Sequence, residues 1–171
     1  MSSKPKMTKD TIPEDFTLSL AMVDALPVLF FGCSMVLIGM LFGSPLFLIG
    51  AALCFWAGAA KVIWKIIVVK KKKNVWWMFL QMRIVMPLGF ALMILAVILR
   101  WKTIVPSAVL EAVLSFRSVV FFVIGIIGMV MMGVFAAKLD SSDVRSNWIE
   151  QLTNAVAQAS VFIGILILFV R

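Results

Sequence analysis

The chain has 171 residues, 63% of them hydrophobic and 14% charged, with a mean hydropathy of +1.11; this excludes a water-soluble globular domain and fits a bilayer as solvent. Sixteen Lys and Arg against eight Asp and Glu leave a net charge of +8, and because the bases cluster beside apolar runs they are expected to meet anionic membrane lipids, not nucleic acid. The absence of histidine excludes His-ligated haem, a His-containing zinc site and a histidine general base.

Residues 1–16 are polar, with Lys4, Lys6, Lys9, Asp10, Glu14 and Asp15. They read as an uncleaved flexible tail, since the apolar run that follows is far too long for a signal-peptide core. Residues 17–171 form a single transmembrane helical domain. Its first span is predicted from about Leu18 to Met40, stopped by the uncharged turn "FGSP", where Gly43 ends one helix and Pro45 opens the next. The second runs from Pro45 to about Val69 and the third from Val75 to Leu99; between them stand four consecutive lysines, Lys70 to Lys73. The fourth is predicted from about Arg117 to Ala137 and the fifth from about Trp148 to Val170. Each supplies roughly the twenty residues that cross about 30 Å of hydrocarbon. Helices satisfy their own backbone there, so an all-α bundle is expected despite the many Val and Ile residues. Residues 103–116 are the ambiguous stretch. Pro106 suits a first helical turn, with Val109, Leu110, Val113 and Leu114 on one side and Glu111 and Ser115 nearer the other. An interfacial helix near 106–116 is the preferred reading over a short re-entrant element.

The tetralysine connection sets the predicted orientation. The first connection carries no charge, so the positive-inside rule puts Lys70 to Lys73, the N-terminus and the loop with Lys138 and Arg145 in the cytoplasm. Arg100, Lys102 and Arg171 are then external. A plasma membrane, expected to be that of a bacterium, is the predicted location.

With that orientation, depths compare at about 1.5 Å per residue. Asp24 lies about 9 Å inside, Lys65 about 6 Å, Lys61 and Arg83 about 12 Å, and Gln158 about 15 Å, all in the tetralysine half. Asn147, Gln151, Asn154 and Gln158 recur at four, three and four residues and so share a helical face, which is expected to meet protein or water. A carboxylate at the depth of Asp24 needs neutralising, and Lys61, Lys65 and Arg83 are at compatible depths. Pro27 is a point where span one is expected to bend and expose backbone carbonyls. Lys61 and Lys65 share a face with Gly58 and Cys54. The small residues Gly50, Cys54 and Gly58 are expected to admit another helix closely, as are Gly125 and Gly128 in span four. Cys33 and Cys54 are read as small hydrophobes.

These features select among function classes. There is no serine nucleophile with a histidine base, no HExxH, no glycine-rich phosphate loop, no acidic pair for two metals and no CxxC. No catalytic residue, cofactor or metal ligand set is therefore assigned, and an enzyme is the less favoured class. The leading expectation is a small transport or channel-type protein, oligomeric because one such chain encloses only a narrow cavity. Asp24, Lys61, Lys65, Arg83, Asn154 and Gln158 would form its substrate or ion site. The alternatives are an accessory or scaffold subunit held by a larger membrane-protein partner, and an inner-leaflet lipid-modifying enzyme with Lys61, Lys65 and Arg83 on phosphate.

Overall fold

The computed structural model describes residues 17–102, 113–139 and 144–170. The predicted tail, most of the predicted interfacial helix including Pro106 and Glu111, and the loop at 140–143 lie outside the described residues. Within them the protein is all-helical, with five helices long and apolar enough to cross a membrane: α1 Leu18–Phe42, α2 Pro45–Lys71, α3 Trp76–Arg100, α4 Phe116–Lys138 and α5 Val144–Phe169.

Local chemistry fixes the helix ends. The Thr17 hydroxyl accepts the Leu20 amide at 3.2 Å to open α1, and Gly43, left-handed at φ 53°, closes it by donating its amide to the Gly39 carbonyl. One residue later the Ser44 hydroxyl accepts the Phe47 amide, with Pro45 in the first turn of α2. Lys72 ends α2 in the same left-handed conformation, φ 48°, a position glycine usually holds. The helices overrun the predicted spans at several ends. The largest difference is at α5, which begins at Val144 instead of Trp148. The reason is that Ser146 and Asn147 are buried, so polar residues that hydropathy assigns to a loop pack inside as the first turn of a helix.

The extensive contacts join α2 to α3, α4 to α5, and α1 to both α2 and α5. The helices therefore follow the order α3–α2–α1–α5–α4, with two antiparallel hairpins joined through α1. The α2–α3 crossing is backbone on backbone: a Cβ at Gly50 would meet the Gly89 carbonyl at 2.6 Å, and one at Gly89 would meet the Gly50 carbonyl at 2.6 Å. Cys54 packs at the same crossing, its thiol 3.5 Å from the Met86 carbonyl. Gly58 faces the other neighbour, with Val28 of α1 against it. The small-residue stripe of α2 is thus shared between two helices. Gly125 and Gly128 lie against Val161 and Ala157 of α5. Both cysteines are free thiols, Cys33 exposed and Cys54 buried.

Two apolar clusters divide the bundle along the membrane normal. Phe47, Ala51, Cys54, Met93 and Ala96 form the one in the half remote from the tetralysine connection, with Phe31, Met35 and Met86 packed onto it. Ala60, Trp64, Val68 and Met78 form the other. There the Trp64 indole donates to the Asn74 side-chain oxygen at 3.0 Å, tying the tetralysine connection to α2.

Candidate functional site

The central feature is an ion pair. Lys65 Nζ of α2 lies 2.6 Å from Asp24 Oδ2 of α1, and both residues are almost wholly buried, 4% and 5% exposed. Antiparallel packing brings them together: Asp24 is six residues from the start of α1 and Lys65 six from the end of α2, so both sit about 9 Å in from the same bundle end. Two further charges act on Lys65, the Lys61 ammonium one turn up its own helix and the Glu150 carboxylate from α5. Three helices thus contribute to one charged layer, in which each buried ion has an opposite charge near it, as a low-dielectric interior requires.

A polar wall adjoins this layer. Ser146, Asn147 and Gln151 of α5 are buried. The Gln151 side-chain oxygen has no hydrogen-bond partner among the described residues. One and two turns further on, Asn154 and Gln158 line a cleft of about 230 Å³. Pro27, Val28 and Phe31 of α1 form a second wall, Cys54 and Gly58 of α2 a third, and Met86 and Phe90 of α3 a fourth. The stripes are continuous with the charged layer: Asp24, Pro27 and Phe31 share a face of α1, and Cys54, Gly58, Lys61 and Lys65 share one of α2. α1 runs through Pro27 as one unbroken helix. Proline has no amide to give, so the Val23 carbonyl beside Asp24 loses its normal helical donor. Beyond the cleft, Phe31, Met86 and Cys54 pass directly into the apolar cluster of the far half.

Arg83 is placed differently. It is exposed on α3, with its guanidinium 5.4 Å from the centre of the Phe79 ring, and it makes no ion pair among the described residues. Depth along the normal does not give direction around a helix, and Arg83 lies to one side of the line by which α3 meets α2. Lys61 is half-buried. The sequence reading did not single out Glu150 or Gly89. Glu150 carried a usable signal, being three residues from Asn147 and four from Asn154 on the same face. Gly89 carried none, because its role lies in the crossing with Gly50.

Two larger grooves occur elsewhere. One of about 630 Å³ lies between α4 and α5, and one of about 590 Å³ runs along α1, α2 and α5 beside Cys33 and Phe55. Both are lined almost entirely by apolar side chains, the surface that hydrocarbon chains cover. Of these three, the small cleft is the one that combines amides with an adjoining buried charge pair. No protein-family model matches the chain, and searches of curated proteins and of solved structures likewise give no match.

Proposed function

We propose that this integral membrane protein is a small transport or channel-type protein whose solute site is the cleft beside the Asp24–Lys65 pair. The observation that carries the reading is the meeting of the Asn154 and Gln158 amides with walls from α1, α2 and α3 directly next to a buried ion pair. A helix face bearing Asn147, Gln151, Asn154 and Gln158 would be costly in contact with lipid; here Asn147 and Gln151 are buried and Asn154 and Gln158 bound a cavity.

In this mechanism a small polar or charged solute enters from the tetralysine side, which we assign to the cytoplasm, because apolar packing closes the other half. The cleft's volume equals that of about eight water molecules, which sets the size of solute it admits. Asn154 and Gln158 hydrogen-bond the solute. Its charge then competes for one member of the Asp24–Lys65 pair, with Lys61 and Glu150 able to take up the member released. Exchange of ionic partners is the step that links binding to rearrangement. A second copy of the chain, or a larger membrane protein, would complete a continuous path, and the uncovered outer faces of α3 and α4 are the surfaces on which it would assemble.

The test is flux in proteoliposomes under imposed pH and ion gradients, comparing wild type with Asp24→Asn and Gln158→Leu. Wild-type flux that falls at least tenfold in both variants supports the reading. Flux unaffected by either removes the site, and a wild-type protein that moves nothing favours the accessory-subunit alternative.

A further inference from the structure

Arg83 has no role in the mechanism above, and its surroundings suggest another. Between Asp24 and Glu111 the chain has no acidic residue, yet it carries nine Lys and Arg. Neither α3 nor its packing neighbour α2 therefore contains a carboxylate. Among the described residues Asp24 is engaged by Lys65, and Glu150 of α5 also acts on that lysine. Arg83 is left with a permanent charge and five N–H donors, exposed on a membrane-spanning helix, with no acceptor among the described residues. A guanidinium in that position needs an anion from the solvent around it, and that solvent is the bilayer.

The geometry bears on which part of the bilayer would supply it. The guanidinium lies over Phe79, four residues back toward the start of α3, so the side chain runs toward the tetralysine connection and brings its charge to about 5 Å from the first residue of the helix. Phe79 is itself fixed, stacked on Trp76 at 5.1 Å and packed against buried Trp64 at 5.2 Å. The ring platform holds the guanidinium by a cation–π contact near the first turn of α3. Lys71, Lys72 and Lys73 are exposed at the same end. We propose that Arg83, seated on Phe79, binds the phosphate of an anionic phospholipid in the leaflet on the tetralysine side. A planar two-pronged donor suits a phosphodiester, and the lysines add a preference for a headgroup with net negative charge. Arg83 does not itself line the cleft, although Met86 and Phe90 one and two turns further along its face of α3 do, and the lipid site stands whether or not the protein transports anything.

The test uses the full chain, purified in detergent and stripped of lipid, then titrated with dioleoylphosphatidylglycerol or dioleoylphosphatidylcholine while bound lipid is counted by native mass spectrometry. The wild type is expected to hold the anionic lipid about fivefold more tightly at its strongest site. Arg83→Gln is expected to abolish that preference and Arg83→Lys to keep part of it. Arg117→Gln, which removes an exposed cation from α4, is expected to leave it unchanged. Circular dichroism of each variant establishes that the fold is kept, which the exposure of Arg83 favours. The proposal is overturned if Arg83→Gln binds the anionic lipid as the wild type does, if both arginine variants lose binding equally, or if the wild type does not distinguish the two lipids. Displacement of the lipid by excess inorganic phosphate also overturns it, because that would make the site one for free anions.

Discussion

Removing either member of the Asp24–Lys65 pair tests the physical basis of the site. At 2.6 Å and an effective dielectric constant of 20, the attraction is about 6 kcal/mol. Taking each ion out of water costs several kcal/mol, so the intact pair contributes little net stability, whereas a lone survivor keeps its cost and loses its attraction. Asp24→Asn and Lys65→Met are each expected to lower the unfolding free energy by about 3–5 kcal/mol, and the double variant to return to within about 2 kcal/mol of wild type. Reversible unfolding in mixed detergent micelles measures all four corners of the cycle. Single losses below about 1 kcal/mol, or a double variant that loses the sum of the two singles, would refute the reasoning, because the charges would then be solvated independently.

Glycines give a graded set of outcomes. Gly128→Leu drives its side chain into Ala157, whose Cβ lies 2.5 Å from a Cβ built at that position, and is expected to cost about 1–3 kcal/mol in the same unfolding assay. Gly133→Ala meets nothing within 4 Å and is expected to be neutral or to stabilise by up to about 1 kcal/mol. Replacing Lys72, left-handed at φ 48°, by glycine relieves backbone strain and is expected to raise stability by about 1 kcal/mol. Asn74→Ala removes the acceptor of the buried Trp64 indole and is expected to cost about 1–3 kcal/mol, with a shift in tryptophan emission as an independent readout.

The five helices were legible because twenty apolar residues in a row leave the backbone one solution in a bilayer. Their ends were less so. Hydropathy treats Ser146 and Asn147 as loop, whereas burial against other helices makes them the start of α5. The layer of polar groups followed from depth, a one-dimensional property that sequence spacing carries well. Which base meets Asp24 did not follow, since Lys61, Lys65 and Arg83 all satisfied the depth condition. The rotation of α2 against α1 selects Lys65 and leaves Arg83 on the outside of α3. The spacing of the α5 amides marked a common face, but the cleft they line needs side chains from three other helices, separated by up to about 130 residues in the chain.

The mutual backbone approach of Gly50 and Gly89 has a mechanical consequence. With main chain against main chain, and the Trp64–Asn74 latch closing the nearby connection, α2 and α3 form one stiff lever. Gly125 and Gly128 make a second lever of α4 and α5. α1 is the axle between them, in extensive contact with both, its contacts with the second including the ring pair Phe30 and Phe162 at 5.9 Å. If the cleft widens as the proposed function requires, the motion this packing allows is a rotation of one lever about α1, which the Asp24–Lys65 bond would resist.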